Sequence, residues 1–268
     1  MTPTDLSLRS ELKITLALIE RDLAVLWKEI ATVAVRIALQ PTLFAFVFVY
    51  VFPRIGQRIS ASHGSADFVA VLLPGLMAST LIFQGVTAVA APLMAEFESI
   101  EDRVMAPVPV EVVGVAKVIS ASIQAFFAAW LVVPAVWIAS GGQAQISWKH
   151  PLHLLIIVPL CALVSSALGL LLGTVISHRR VTYAVALLQM TLTMLGCVYF
   201  LWTDLHAIPW LQLLTLVNPV VYMSEGLRAA VSPGLPHMPL LAIYGLLVTA
   251  LGVMLWVGLT KFKARVLT

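Results

Sequence analysis

Residues 152–176 read LHLLIIVPLCALVSSALGLLLGTVI, a continuous apolar run without a charged side chain. A helix of about 20 apolar residues crosses the roughly 30 Å hydrocarbon core of a bilayer. Lipid offers no partner to backbone N–H and C=O groups, so such a segment must be helical. The run does not alternate between polar and apolar residues, as the strands of a membrane barrel do. We therefore predict a transmembrane helix here, within an all-α membrane protein.

Similar runs recur along the chain of 268 residues, of which 60% are apolar and 11% charged. Soluble domains are nearer 25% charged. The runs predict six transmembrane helices, at residues 31–53, 68–94, 112–139, 152–176, 181–203 and 239–260. No linker divides them, so we predict a single domain, 1–268, with spans one to five within 31–203 and span six with a basic tail in 239–268.

The first 30 residues predict an amphipathic helix that does not span. Leucine or isoleucine recurs every three or four positions from Leu8 to Ile30, while Arg9 and Lys13 lie off that stripe. We predict that residues 1–30 lie in the membrane interface. Packing of this helix on a protein partner is the alternative.

Residues 204–238 predict short re-entrant helices on the extracytoplasmic side. The apolar pieces 211–217 and 220–231 are too short to span, and Asn218-Pro219 interrupts them. Glu225 and Arg228 lie three residues apart and can pair on one helix face. We predict that this pair is a structural clamp for the re-entrant helix, with a substrate site as the alternative.

The basic residues predict the orientation of the chain, because with six spans both termini lie on one side. Lys and Arg are enriched on the cytoplasmic side of membrane proteins. Twelve of the 16 basic residues fall on the side of the termini, which are therefore predicted to be cytoplasmic. The twelve are Arg9, Lys13, Arg21, Lys28, Arg36, Arg103, Lys117, Arg179, Arg180, Lys261, Lys263 and Arg265. The other four are Arg54, Arg58, Lys149 and Arg228.

The predicted spans carry no carboxylate, whereas ion- and proton-coupled carriers usually hold an ionisable group near the midplane. The chain also lacks the Gly-x-x-x-x-Gly-Lys-Ser/Thr nucleotide loop and the His-Glu-x-x-His and Gly-x-Ser-x-Gly hydrolase motifs. We predict no catalytic residue, no metal site and no nucleotide bound by this chain. Its basic residues adjoin the spans, so nucleic-acid binding is not predicted. Energy for uphill transport must then come from outside the bilayer.

Residues 95–111, AEFESIEDRVMAPVPVE, form the most charged loop and lie on the predicted cytoplasmic side. Acidic and apolar side chains share a short predicted helix, and two prolines stiffen the return into the third span. This composition suits the docking of a soluble partner, although a solvated loop is the simpler alternative. The candidate docking residues are Glu96, Phe97, Glu98, Ile100, Glu101 and Arg103.

Two stretches resemble the marks of the ABC-2 family of exporter permeases. The first runs from Leu73-Pro-Gly-Leu through Ala95-Glu-Phe-Glu-Ser-Ile-Glu-Asp-Arg-Val-Met-Ala-Pro-Val-Pro to Gly114 and Lys117. The second is Asn218-Pro-Val-Val-Tyr-Met-Ser-Glu-Gly-Leu-Arg228. With the amphipathic start, six spans and cytoplasmic termini, the resemblance covers most of the chain.

The resemblance implies the permease subunit of a bacterial ABC exporter in the cell inner membrane. It implies two copies of a separate cytosolic ATPase, which use ATP and Mg and dock on residues 95–105, while this chain binds no cofactor. It also implies a second permease copy, and a symmetric pair can form a pathway through membrane lipid along its axis. The uncharged spans favour an amphipathic substrate: a lipid, a lipid-linked saccharide or a hydrophobic drug.

Two other classes stay open on the sequence alone. The chain could be a passive channel or a membrane assembly subunit without an ATPase. An intramembrane enzyme would need a convergent polar cluster within the spans, which the sequence does not show.

Small residues within the spans predict close packing. Gly169 and Gly173 form a Gly-x-x-x-Gly pair, and Gly245 and Gly252 lie two turns apart in the last span. Such glycines let helix backbones approach each other, and substrate contact is the alternative. Cys161 and Cys197 lie inside apolar runs and are predicted to be packing residues.

Overall fold

The computed structural model describes residues 15–22, 24, 28, 30–55, 65–98, 110–142, 150–176 and 178–267. Within these ranges the regular elements are helices. Helix α1, Ile30–Ala45, continues through a π-helix, Phe46–Val51, into a last turn at Phe52–Arg54. The next helices are α2 (Ser65–Glu98), α3 (Val110–Ala139), α4 (Pro151–Val175) and α5 (His178–Met194). A 3-10 helix (Trp202–Ala207), α6 (Pro209–Thr215), α7 (Pro219–Val231) and α8 (Leu240–Leu267) complete the order.

Five helical stretches of the described chain are long and apolar enough to cross a membrane. They are Val33–Val51, Phe68–Leu93, Val112–Ala139, Pro151–Val175 and Leu240–Ala264. Each agrees with a predicted span to within a few residues, because the thickness of the bilayer sets the length of an apolar run. The prediction of an all-α membrane protein is confirmed.

The fifth predicted span differs from the structure. Helix α5 ends at Met194 instead of continuing to residue 203, and its apolar part is only Tyr183–Met194. The chain then turns through residues 195–201, where Cys197 has a positive φ of 51°. The prediction of one continuous helix over 181–203 is therefore wrong. Side chains of residues 218–228 bind the Leu192 carbonyl of this helix and the Gly196 and Cys197 carbonyls of the turn after it, which stabilises the early end. The count of six spans stays a prediction.

The core lies where α2, α3, α4 and α7 pack together. A Cβ atom added to Gly169 of α4 would lie 2.8 Å from the carbonyl oxygen of Val86 on α2. One added to Gly173 would lie 3.0 Å from the side chain of Leu93. The prediction that this glycine pair serves close packing is confirmed. Cys161 and Cys197 are buried in the same core as free thiols, as predicted.

Helix α8 packs mainly on α4 and leaves most of its surface outside the bundle. Gly245 and Gly252 lie on this outward surface, and a Cβ atom added to either would meet nothing within 4 Å. No described residue of the chain packs against these two glycines, so their packing role stays a prediction. Gly258 fills that role instead, because its added Cβ would lie 3.2 Å from Leu170 of α4.

The amphipathic helix predicted for residues 1–30 lies largely outside the described residues. Residues 15–22 are helical, and the Arg21 guanidinium pairs with the neighbouring Asp22 carboxylate at 2.9 Å. Its position in the interface stays a prediction.

Candidate functional site

Helix α7 is the most unusual element of the bundle, because it is short and yet buried along its whole length. It has 13 residues, about 20 Å of helix, and therefore cannot cross the hydrocarbon core alone. Asn218 caps its start, accepting a hydrogen bond from the Val220 N–H at 2.9 Å, and Pro219 follows as the first helical residue. Every residue from 220 to 231 is buried, so α7 lies inside the bundle.

The Glu225–Arg228 ion pair lies on α7, and neither side chain has any exposed surface. One amino group of the Arg228 guanidinium donates to Glu225 Oε1. The same carboxylate accepts the backbone N–H of Met238 on Oε2 at 3.0 Å and that of Trp202 on Oε1 at 3.4 Å. The prediction that these two residues can pair on one helix face agrees with this geometry. Their role as a clamp stays a prediction, which these backbone contacts support.

Side chains of α7 also complete the end of α5. The last carbonyl groups of a helix have no partner within it. The Asn218 amide donates to the Leu192 carbonyl at 2.7 Å, and the Ser224 hydroxyl donates to the Gly196 carbonyl at 2.8 Å. The second amino group of Arg228 donates to the Cys197 carbonyl at 3.1 Å. The turn after α5 is thus held by side chains from about 30 residues further along the chain.

Pro74 and Gly75 of α2 contact the same region from the other side. Proline has no N–H, so Pro74 leaves the Ala70 carbonyl without its usual helical donor. The hydroxyl of Ser232, just after α7, donates to this carbonyl at 2.9 Å. At Gly75, an added Cβ atom would lie 1.9 Å from the Val198 carbonyl oxygen, so only glycine fits against the turn after α5. The Pro-Gly pair of the sequence motif therefore joins α2 to the turn after α5 and to the residue that follows α7.

The predicted docking residues fall at the opposite end of α2. Glu96, Phe97 and Glu98 belong to the last turn of this helix, whose backbone continues from the second span without a break. Ile100, Glu101 and Arg103 lie outside the described residues. Gly114, further along the same motif, packs α3 on α8, since its added Cβ would lie 2.9 Å from Leu259. The docking role of this segment stays a prediction.

Sequence reasoning missed Asn218, Ser224 and Ser232 as residues that bind distant backbone carbonyls. The Asn-Pro pair is a helix-start signal, so the capping role of Asn218 was readable from the sequence. The other two hydroxyl groups gave no local signal, because their partners are remote. Among the described residues, no group of three His, Cys, Asp or Glu side chains could hold a metal ion.

The fold and this buried site define a class: a multi-pass helical membrane protein with a short enclosed helix, which carries a buried ion pair, before its last long helix. The model of the ABC-2 type transporter family matches residues 14–232, and the chain belongs to this family. The resemblance found in the two motifs is thereby confirmed. The inner membrane transport permease YadH of Escherichia coli K12 is 29% identical over 197 residues, covering 72% of this chain and 74% of the relative. The YadH permeases of Escherichia coli O157:H7 and Shigella flexneri match to the same extent.

Proposed function

We propose that this chain is the transmembrane subunit of an ATP-driven exporter in the bacterial inner membrane, with a separate cytosolic ATPase. Membership of the ABC-2 family supports a permease role, and the similarity to the inner membrane transport permeases YadH supports a location in the inner membrane. The proposed complex contains two copies of this chain and two ATPase subunits. The termini are on the cytoplasmic side, and the substrate is amphipathic or hydrophobic.

The closed Glu225–Arg228 pair is the observation that carries this proposal. Glu225 is the only buried carboxylate among the side chains that the structure describes. Both of its oxygens are engaged, with Arg228 and with two backbone N–H groups. A carboxylate held in this way cannot exchange a proton or bind an ion without breaking the clamp. The buried charges therefore favour a source of energy outside the bilayer, such as a nucleotide-hydrolysing partner.

Coupling to that partner is assigned to the acidic segment that begins in the last turn of α2. Glu96, Phe97 and Glu98 extend directly from the second span, so movement of this turn would pass along the same helix into the core. Ile100, Glu101 and Arg103 complete the proposed docking surface. The ATPase binds ATP and Mg, and this chain supplies no ligand for either.

The test is affinity purification of the full chain from native membranes. The proposal expects a P-loop ATPase in equal amount and ATP hydrolysis by the purified complex. Reversing two charges in the docking segment, with Glu98→Lys and Glu101→Lys, should release the ATPase while the permease still inserts. Arg54→Glu is the matched control, because it reverses an exposed charge in the turn Phe52–Arg54 after α1, which is predicted to lie on the other side of the membrane.

The results separate the exporter from its alternatives. Purification of the wild-type chain without any ATPase would favour a passive channel or an assembly subunit. If the variant with both Glu98→Lys and Glu101→Lys bound the ATPase and transported normally, this segment would not be the docking site.

A further inference from the structure

Three histidines lie close together where the start of α4 meets the connection from α7 to α8. His150 precedes the first residue of α4, His153 lies in the first turn of that helix, and His237 belongs to the connection. His150 and His237 are both close enough to His153 for their charges to act on it. Tyr244 of α8 packs on His153, with the two ring centroids 5.6 Å apart. The cluster therefore lies between two long helices, at the end predicted to face the outside of the cell.

The position of the His153 ring suits its neutral form. Its Nε2 atom is buried and has no hydrogen-bond partner in the described part of the chain. A neutral imidazole can leave this nitrogen without a proton, whereas a charged imidazole carries an N–H at both nitrogens. A buried N–H without an acceptor is costly, and a positive charge at the start of a helix opposes the helix dipole. The charged ring would therefore be more stable if it turned toward water.

The described surroundings of His153 supply no negative charge to balance a proton there. The described side chains of α2 include no titratable group, and the titratable one on α3, Lys117, lies near the opposite end of that helix. On α7, the Glu225 carboxylate is engaged by Arg228. Asp204 of the 3-10 helix acts on Arg228. Protonation of the cluster would therefore place positive charges beside one another without a described counter-charge.

The connection that carries His237 also reaches the buried ion pair. His237 Nδ1 lies 2.9 Å from the Met238 carbonyl oxygen, and it donates this hydrogen bond because a carbonyl only accepts. The Met238 N–H in turn donates to Glu225 Oε2 at 3.0 Å. Movement of the connection away from α4 would therefore take a donor from the Glu225 carboxylate.

We propose that His150, His153 and His237 form a pH-sensitive latch at the outer end of the bundle. When the three rings are neutral, His153 packs on Tyr244 and the connection stays bound to Glu225. Mild acid protonates the cluster, because imidazoles change charge between about pH 8 and about pH 5. The His153 ring then turns toward water, and repulsion between the rings moves the connection away from the clamp. The latch is a property of this chain alone, and control of transport by it rests on the proposed exporter function.

Hydrogen–deuterium exchange of the purified full chain in detergent micelles tests the latch. The readout is exchange in peptides that cover residues 232–244, which include the Met238 amide, at about pH 7.5 and about pH 5.5 after correction for the intrinsic effect of pH on amide exchange. We expect roughly tenfold faster corrected exchange in acid, which corresponds to about 1.4 kcal/mol. Peptides within residues 157–170 of α4 should not change. Equal corrected rates for residues 232–244 at the two pH values would overturn the proposal.

Two substitutions at His153 separate its charge from its packing. His153→Phe keeps an aromatic ring against Tyr244 and cannot take a proton. The increase of exchange in acid should be lost, while exchange at neutral pH stays close to that of the wild type. His153→Gln also removes the charge and serves where the phenylalanine variant does not fold. A full response to acid in either folded variant would overturn the proposal.

Two further variants test whether the response belongs to this cluster. His150→Gln removes one of the neighbouring charges and should reduce the increase of exchange in acid without abolishing it. His206→Gln is the matched control, because this exposed histidine of the 3-10 helix pairs with Gln212 and does not act on His153. It should keep the full response, and loss of the response in this variant would overturn the assignment to the cluster. These measurements use no ATPase, so their failure would leave the proposed exporter function unaffected.

Discussion

Helices α7 and α8 follow one another in the chain but have opposite relations to their surroundings. Helix α7 carries Glu225 and Arg228 and is buried throughout, whereas α8 is strongly apolar and mostly faces outward. In water the apolar helix would be the buried one. In a bilayer, lipid solvates apolar side chains as well as a protein core does, so burial is driven by polar groups that need partners. The stability of this fold should therefore depend on α7 far more than on the outward surface of α8.

The largest loss of stability is expected when a buried charge on α7 loses its partner. Glu225→Gln leaves the Arg228 guanidinium without a counter-charge and weakens the contacts to Met238 and Trp202. Breaking a buried pair from one side costs about 3–5 kcal/mol. We expect the detergent-solubilised protein to lose its monodisperse size-exclusion peak at a much lower temperature than the wild type.

The double variant Glu225→Gln with Arg228→Met sharpens this test. It removes both charges, so the desolvation cost of an isolated ion disappears and part of the stability should return. If the double variant were less stable than Glu225→Gln alone, the ion pair would not be the main contribution of α7.

The next largest loss of stability is expected from a glycine-to-alanine substitution in α2, compared with the same substitution in α8. Gly75→Ala places a methyl group 1.9 Å from the Val198 carbonyl oxygen before any relaxation, so the turn after α5 must move. Overpacking of this kind costs about 1–3 kcal/mol. Gly245→Ala in α8 meets open space and should be neutral or slightly stabilising, because alanine favours helices. Equal losses of thermal stability in the two variants would contradict the close approach at Gly75.

A smaller effect is expected at Ser232, whose hydroxyl replaces the donor that Pro74 lacks. Ser232→Ala should cost about 1 kcal/mol, the value of one hydrogen bond. In a Pro74→Ala background residue 74 regains an N–H for the Ala70 carbonyl, and the same serine change should cost less. A double-mutant cycle measures this coupling. Strict additivity of the two changes would show that the hydroxyl does not compensate for the proline.

The smallest effect is expected on the outward surface of α8. Leu241 is 89% exposed in the described chain, and Leu241→Ala should change stability by no more than about 0.5 kcal/mol. Ile243, two residues further on, is fully buried, and Ile243→Ala should cost about 2 kcal/mol or more. Comparable losses in these two variants, measured by the same thermal assay, would mean that another protein surface covers Leu241.

The sequence was informative where the bilayer alone determines structure. The bounds of α2, α3 and α4 follow from run length and from the polar residues that flank each run, and the two ends of the first family motif fall within α2 and α3. The pairing of Glu225 with Arg228 follows from their helical spacing.

The sequence was uninformative where side chains remote in the chain determine the structure. Nothing local to residues 195–203 shows that the helix stops at Met194, since the side chains that complete it belong to residues 218–228. Gly245 and Gly169 look alike in sequence, and only the structure shows which of them faces a neighbour.

The dependence of α5 on α7 has a consequence for biosynthesis. The carbonyl of Cys197 leaves the ribosome 31 residues before the Arg228 guanidinium that will bind it. Until those residues arrive, the Leu192 carbonyl of α5 and the Gly196 and Cys197 carbonyls of the turn after it lack these donors, and lipid offers none. We therefore expect the nascent segment to remain beside water or within the insertion machinery until α7 has been made, so that the two helices enter the membrane together.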